Sequence, residues 1–399
     1  MAADAPAGGA SRLGPFIGFY ALAYAGGVVA YVPLLVLLLP LKIEAMGERV
    51  GLLTLTAIVG AIAASLSAIV FGTLSDRSWL KRRSRRRWIV AGLIATALSY
   101  GAIGAAQTPT ALILAIALFQ IAVNMLLSPI STTMADHVPD GAKGVAGGLL
   151  AAGQPVGALV GAGVTGGVFG DEAMRLAGVV LCTVLLLVPL LTTRWPPVVN
   201  AAVEARSRPL GRTDLGYLWS SRLCVQIANV VPFTYLLYLF QEVAGREQPL
   251  AMASRLGWLT AAIYFVSVPL ALVIGRMSDR IGRRKPFLLG TALAGAIGLT
   301  VMAVAARWPV LVAGYAIFAV ASAAFLALQS SYAMQVLPSA RTRGRDLGLL
   351  NLANTLPSII GAGLTWSLAP DARFGSVLIT LAVLMLIGGL MVLPVRGAR

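Results

Sequence analysis

The sequence predicts an all-α polytopic membrane protein with about twelve transmembrane helices, arranged as two six-helix bundles. Three observations predict this fold: an apolar composition, a division into runs of membrane-spanning length, and an internal repeat. Of the 399 residues, 58% are hydrophobic and 12% are charged, and the mean hydropathy is +0.86. A water-soluble domain of this size could not expose such a surface, so the solvent around the protein is lipid.

The apolar runs have the length of spanning helices. A helix needs about 20 apolar residues to cross the hydrocarbon core of a bilayer. The runs are continuously apolar rather than alternating, which favours helices over a β-barrel because a helix satisfies its own backbone hydrogen bonds. We predict spans at 13–41, 50–73, 87–107, 109–132, 143–169, 173–194, 216–241, 254–275, 286–306, 308–332, 347–369 and 373–395.

The distribution of basic residues predicts the orientation. The formal net charge of +16 could by itself indicate nucleic-acid binding. Most of the 31 Lys and Arg residues, however, fall in loops on one side of the predicted topology, with clusters at 77–87 and 276–285. This positive-inside pattern places both termini in the cytoplasm. We therefore expect no nucleic-acid partner and a multi-pass location in the plasma membrane, specifically a bacterial inner membrane.

An internal repeat relates the two halves of the chain at a shift of about 200 residues. The segment GTLSDR at 72–77 recurs as GRMSDR at 275–280, and the GAGV beginning at Gly161 recurs as the GAGL beginning at Gly361. Several matches in the same order indicate a duplicated unit. We predict an N-terminal bundle over 1–194, a cytoplasmic linker over 195–215 and a C-terminal bundle over 216–399.

The repeated segment carries a motif of small, acidic and basic residues. It contains Gly72, Asp76 and Arg77 in the first copy, and Gly275, Asp279, Arg280, Arg283 and Arg284 in the second. This pattern, between the second and third helices of each half, resembles the signature loop of the major facilitator superfamily. The first copy lacks the glycine that follows the Asp-Arg pair, and its basic run before Trp88 resembles the sucrose and glycoside-pentoside-hexuronide branch.

The resemblance implies a secondary transporter that works by alternating access, in which two bundles rock about a midplane site. It implies that the motif residues serve conformational gating, with Asp76 and Asp279 as latches rather than solute ligands. A carboxylate at a helix end can accept hydrogen bonds from amides or from a cation, and glycine permits close helix packing. The basic residues from Lys81 to Arg87 are interpreted as topology determinants only.

A glycine stripe in the fifth span leaves two interpretations open. Gly153, Gly157 and Gly161 recur every four residues beside Pro155, which resembles the antiporter motif of the same superfamily, although Gln154 interrupts the Gly-Pro pair. Close packing of membrane helices explains the same stripe without an export function. Prolines within or close to the spans free backbone carbonyls and allow bending. They are Pro33, Pro129, Pro155, Pro232, Pro269 and Pro357.

Uncharged polar residues dominate the interiors of the spans. All 15 acidic residues fall at helix ends or in loops, with Glu44, Asp136 and Glu242 nearest to the interior, and His137 is predicted to be a loop residue. Polar side chains form helical stripes that should face other helices or a wet cavity. As solute-binding candidates we predict Tyr24, Tyr31, Gln120, Asn124, Gln226, Asn229, Tyr315, Gln329 and Asn354.

These stripes predict the cargo. By resemblance to the superfamily, the first, fourth, seventh and tenth helices line the central path, and four of the five stripes lie there. Amides and aromatic rings without buried charge suit a neutral polar solute such as a sugar. Hydrogen bonds between helices are the alternative role for each residue.

Three other functions stay open at this point: a drug or metabolite exporter of the same fold, a membrane-embedded enzyme, and a sensor without transport activity. No His/Asp cluster, nucleophile motif or phosphate-binding loop supports an enzyme. We expect no metal and no cofactor. The expected partners are a small-molecule substrate, a coupling ion and the lipid bilayer, and the expected oligomeric state is a monomer.

Overall fold

The computed structural model describes residues 10–48, 50–82, 84–138, 149–150, 152–166, 169–196, 212–245, 248–336, 343–369 and 373–395. Regular secondary structure within these ranges is helical. The elements are α1 (Ala10–Val29), a π-helical segment (Leu34–Leu38), α2 (Leu39–Ala45), α3 (Val50–Arg82), α4 (Arg86–Ala105), α5 (Pro109–His137), α6 (Gly153–Thr165), α7 (Glu172–Thr192), α8 (Arg212–Thr234), α9 (Leu236–Ala244), α10 (Pro249–Ile281), α11 (Lys285–Ala303), α12 (Trp308–Val336), α13 (Arg343–Leu368) and α14 (Gly375–Leu390).

The helices occur in chain order at the twelve predicted positions. Within the described ranges, eight helical stretches are long and apolar enough to cross a membrane, the first of them running from Leu13 to Ala45 through the π-helical segment. The bent pair α8 and α9 makes a ninth. The three remaining positions hold shorter described helices: α6 and the apolar stretches Leu356–Leu368 and Gly375–Leu390. The predicted all-α, polytopic fold class is confirmed.

Proline breaks the first helix of each half. Pro33 precedes the π-helical segment, and Pro232 lies near the end of α8, after which α9 departs at 60°. The bend predicted at Pro232 is confirmed, whereas Pro33 marks the change from α-helix to π-helix within one continuous stretch. Proline removes a donor and clashes with the preceding turn, which frees backbone carbonyls. The Tyr100 hydroxyl donates to the carbonyl of Ala30 at 2.8 Å, so a side chain from α4 binds the backbone beside the first break.

Two compact units divide the chain, and they differ in part from contiguous halves. Unit 1 comprises 1–46, 62–202 and 253–261, and unit 2 comprises 47–61, 203–252 and 262–399. Each of the two 33-residue helices therefore changes unit along its length: α3 begins in unit 2 and enters unit 1 at residue 62, whereas α10 begins and ends in unit 2 and belongs to unit 1 over 253–261. Most of the predicted linker, 197–211, lies outside the described residues.

Glycine allows close helix packing inside each unit. In unit 1, a Cβ built at Gly153 or Gly157 of α6 would lie 3.0–3.1 Å from valine side chains of α1 or the turn after it. In unit 2, a Cβ at Gly361 of α13 would lie 2.5 Å from Val230 of α8. Such contacts leave little room for a side chain, so the glycine stripe of α6 packs closely against the first helix, as the packing interpretation predicts.

Candidate solute-binding and gating residues

In unit 1, a hydrogen bond between side chains joins the turn after α1 to α6. The Gln154 Nε2 donates to the Tyr31 hydroxyl at 3.1 Å, and both side chains are half-buried. The glycines on either side of this pair hold α6 against α1, which sets the distance. Sequence reasoning treated Gln154 only as an interruption of a motif and missed it as a polar group. The signal was available, because an amide among membrane glycines needs a partner.

The other predicted ligands of unit 1 lie on α1 and α5. Tyr24 is half-buried, and its ring would be 3.5 Å from a Cβ at Gly153, so it lies beside α6. The Asn124 Nδ2 donates to the Gln120 carbonyl one turn earlier at 2.8 Å, and both amide side chains are partly exposed. The structure therefore brings Tyr24 and Tyr31 to the same helix pair, while Gln120 and Asn124 form a separate stripe on α5.

In unit 2, Asn229 connects α8 to α12. Its Nδ2 donates to the Val225 carbonyl at 2.9 Å, and its Oδ1 accepts from the Ser322 hydroxyl at 2.6 Å. Gln226 lies one turn before Asn229 on α8 and is half-buried. Ser322 is 1% exposed, so the bond forms at the edge of the packed interior.

Aromatic side chains form a second cluster of unit 2. Tyr315 of α12 is buried and shares a hydrogen bond with Tyr264 of α10. Its ring lies 5.9 Å from the ring of Phe240, which in turn lies 5.0 Å from the ring of Trp308. Tyr264 was missed from the sequence, although Thr260 and Ser267 lie four residues before and three residues after it on the same face of α10.

The structure places Gln329 in the packed interior of unit 2. It is 1% exposed, and its Nε2 donates to the Leu218 carbonyl at 3.2 Å and to the Ser221 hydroxyl at 3.0 Å. Ser221 donates in turn to the Gly388 carbonyl at 2.6 Å. These are contacts between helices, so a solute cannot reach Gln329 in this structure. The side chain of Asn354, on α13, lies outside the described residues.

The first gating loop contains a partly buried ion pair. The Arg85 Nη1 donates to an Asp76 carboxylate oxygen and to the Ser75 hydroxyl, each at 2.8 Å. The Arg85 side chain is 4% exposed and that of Asp76 is 62% exposed, whereas Arg77 is exposed. The interpretation of 81–87 as topology determinants only is therefore wrong for Arg85. A single basic residue within a run of them gives no signal of burial in the sequence.

The second gating loop begins at a glycine with a positive φ. Gly282 has a φ of +69° and ends α10, and α11 begins three residues later at Lys285. Arg280 and Arg283 are exposed, and Arg284 is half-exposed. The side chain of Asp279 lies outside the described residues. A Cβ at Gly72 or Gly275 would meet no described atom within 4 Å, so these two glycines make no close packing with the described part of the chain.

A carboxylate joins the first and sixth helices of each half at the end opposite the basic loops. In unit 1, the buried Lys42 of α2 forms an ion pair of 2.7 Å with Glu172 of α7 and also donates to the Gly104 carbonyl. In unit 2, the Glu242 carboxylate of α9 accepts from the backbone N–H of Phe374, the N-cap residue of α14, at 3.0 Å. Glu242, one of the acids nearest to the interior by sequence, caps a helix.

His137 lies at the end of α5 rather than in a loop. It is 5% exposed, its Nδ1 lies 2.8 Å from the Pro196 carbonyl, and its ring packs against the rings of Phe16 and Trp195. The ring of Trp195 also lies beneath the Arg86 guanidinium. Among the described residues, no group of three His, Cys, Asp or Glu side chains could hold a metal ion.

The helical repeat, the polar side chains within apolar helices and the paired loops define a multi-pass membrane transporter. A family model described as the Major Facilitator Superfamily matches residues 17–254 and again 247–399. The chain belongs to this superfamily, whose members are transporters rather than enzymes.

Known proteins resemble the chain over its whole length in fold and over a short stretch in sequence. The nucleoside transporter NupG covers 96% of this chain and all of its own, with 14% identity and a TM-score of 0.71. A D-xylose-proton symporter covers 96% of each chain, with 16% identity and a TM-score of 0.67. An uncharacterized MFS-type transporter of Bacillus subtilis (strain 168), YfiU, is 32% identical over 96 residues, which is 24% of this chain and 18% of that protein.

Proposed function

We propose that this transporter moves a small neutral polar solute by alternating access. The proposed ligands are the half-buried polar side chains of the two units, chiefly Tyr31 and Gln154 in unit 1 and Gln226 and Asn229 in unit 2. The structural neighbours named as nucleoside and xylose transporters carry solutes of this kind. Since fold similarity alone does not select a substrate, the proposal rests on the side chains.

One observation carries the proposal: the interhelical side-chain bonds at these positions join uncharged groups. The Gln154–Tyr31 and Asn229–Ser322 pairs consist of amides and hydroxyls, which can exchange a protein partner for a solute hydroxyl at little cost. The described carboxylates Glu172 and Glu242 are both engaged at helix ends. These positions offer no charged side chain, and a neutral solute needs none.

Ligand-induced stabilisation of the purified protein tests the solute class. Sugars, nucleosides, amino acids, organic acids and lipophilic cations are compared by thermal unfolding. A neutral polar solute at about a hundredfold excess over its Kd should raise the unfolding midpoint by roughly 3 °C, because it binds only the native state. Stabilisation by charged compounds alone would contradict the proposal.

Two variants test which side chains bind the solute. Asn229→Leu should abolish the ligand-dependent shift, because it removes both the donor and the acceptor of the amide. Thr300→Val is the matched control: Thr300 is exposed on α11 and its hydroxyl bonds only the Ala296 carbonyl, so the shift should persist. If Asn229→Leu retains the full shift, the proposed ligand set is wrong.

The gating role of the paired loops is also part of the proposal. Asp76 already binds Arg85, which supports a latch built from an exchangeable ion pair. Asp279→Asn should slow solute turnover in proteoliposomes while the amount of protein inserted in the membrane stays unchanged. Unchanged turnover would remove Asp279 from the gating mechanism.

A further inference from the structure

An apolar groove lies on unit 2, at the end that carries the second basic loop. Its volume is about 670 Å³. Three helices contribute to it: α10 through Ile274, α11 through its first turns, and α12 through its middle. The lining residues on α11 are Pro286, Phe287, Gly290, Thr291 and Ala294, and those on α12 are Ala316, Ile317, Val320 and Ala321.

The dimensions of the groove fit one leaflet of a bilayer. The α11 residues from 286 to 294 cover about 13 Å at a rise of ~1.5 Å per residue. That length is close to half of the roughly 30 Å hydrocarbon core. The groove therefore extends from the membrane surface to about mid-depth, which is the length available to an acyl chain of one leaflet.

The lining of the groove suits a hydrocarbon chain. Small residues leave the space: a Cβ at Gly290 would meet no described atom within 4 Å, and three of the other lining residues are alanines. The hydroxyl of Thr291 donates to the carbonyls of Phe287 and Leu288, so it offers no unmet donor to the groove. Leu293 and Ile297, neighbours on the same helix, are each 50% exposed and need an apolar solvent.

Positive charge lies at the surface end of the groove. The segment 276–285 contains five basic residues and one acidic residue, and it connects the groove-lining parts of α10 and α11. Arg276, Arg280 and Arg283 are exposed. The N-cap residue Arg284 makes no capping hydrogen bond with its side chain, and the partial positive charge of that helix end adds to the same region.

We propose that this groove binds one acyl chain of an anionic phospholipid, whose phosphate is bound by Arg280 and Arg283. The leaflet is the one on the side of the basic loops, predicted to be cytoplasmic. Charge complementarity selects an anionic headgroup, because each basic residue near the membrane surface attracts an anionic lipid and the acyl chain is uncharged. The site is independent of the transported solute, and it connects the lipid to the loop proposed for gating.

Native mass spectrometry of the full-length protein tests the site. The protein is released from detergent after incubation with phosphatidylglycerol, phosphatidylcholine or glycerol 3-phosphate of matched concentration. At least one phosphatidylglycerol should stay bound, about tenfold more tightly than phosphatidylcholine, and glycerol 3-phosphate should not compete. Equal retention of the two lipids, or competition by the soluble phosphate, would overturn the proposal.

Two variants separate the chain from the headgroup. Gly290→Leu fills the groove and should lose one bound phosphatidylglycerol, while leucine favours the helix and keeps the protein folded. Gly101→Leu is the matched control, since Gly101 is also exposed on a spanning helix with no described atom within 4 Å of a Cβ, and it should retain that lipid.

Replacing Arg280 and Arg283 together by Gln should reduce retention of phosphatidylglycerol about tenfold and leave phosphatidylcholine unchanged. Full retention in both the Gly290 and the Arg variants would show that the lipid binds elsewhere.

Discussion

The two halves solve the same structural problems with different chemistry. At the gating loop, unit 1 contains the Arg85–Asp76 ion pair, and the loop of unit 2 contains Gly282 at a positive φ. At the opposite end, unit 1 pairs Lys42 with Glu172, whereas Glu242 of unit 2 binds a backbone N–H. At that opposite end, unit 1 thus uses two side-chain charges where unit 2 uses one side-chain charge and its backbone. A duplicated fold keeps the positions of its contacts while their chemical nature changes.

The largest expected difference in stability is between variants of the two carboxylates Glu172 and Glu242. Glu172→Gln leaves the Lys42 ammonium, 6% exposed, without a counter-charge and should destabilise the protein by about 2 kcal/mol, a value reduced because Glu172 itself is 47% exposed. Glu242→Gln keeps an oxygen acceptor for the Phe374 N–H and should cost only ~0.5 kcal/mol. Thermal unfolding in detergent measures both.

A double variant controls for this comparison. Lys42→Met combined with Glu172→Gln removes the buried charge together with its partner, so it should recover most of the stability lost in Glu172→Gln. Equal effects of the two single Glu variants would show that charge does not distinguish the units.

The gating loops provide the next effect. Arg85→Ala removes the ion pair to Asp76 and the hydrogen bond to the buried Ser75, and it should destabilise the protein by about 1.5 kcal/mol. Arg283→Ala, at an exposed position of the second loop, should change stability by less than ~0.5 kcal/mol. Comparable losses for both arginines would show that the ion pair to Asp76 does not stabilise the first loop.

Backbone conformation at the second loop should produce a smaller change. Gly282→Ala places a Cβ at a φ of +69° and should cost about 1 kcal/mol, measured as a lower midpoint of thermal unfolding. Gly282→Asn should cost less, because asparagine tolerates the left-handed region. A neutral alanine variant would mean that the loop does not depend on this backbone conformation.

The smallest effects should be equal in the two units. Tyr31→Phe and Ser322→Ala each remove one uncharged hydrogen bond between side chains, worth about 0.6 kcal/mol in a membrane protein. Equal small losses of stability would show that the units differ in charged contacts but not in their polar interiors. Solute binding should fall more in Tyr31→Phe than in Ser322→Ala. A loss several times larger in one unit would contradict this.

Hydropathy predicted the fold because the lipid solvent dictates it. The order of helices and the bend at Pro232 follow from apolar run length and from the missing proline donor. Helix ends were less predictable. The second span was expected to end at 73, but α3 continues to Arg82, because polar residues outside the lipid can extend a helix that the membrane no longer requires.

The candidate site was predictable only in part, because spacing places a residue on a helical face without naming its neighbour. Asn229 was found by its stripe, and its stripe partner Gln226 lies beside it as expected. Gln329 was found by the same argument, yet its face packs on Leu218 and Ser221 inside unit 2. Arg85 was missed because no local pattern distinguishes one buried arginine within a basic run. Gln154 was missed although an amide among membrane glycines needs a partner.

The π-helical segment at Leu34–Leu38 accounts for a difference in length between the repeats. Pro33 precedes Gly47, the positive-φ glycine after α2, by 14 positions, whereas Pro232 precedes Gly245, its counterpart after α9, by 13. A π-turn holds one more residue than an α-turn. The first half therefore absorbs a single-residue insertion as one wide turn, and the proline and glycine on either side keep their structural positions despite the extra amino acid.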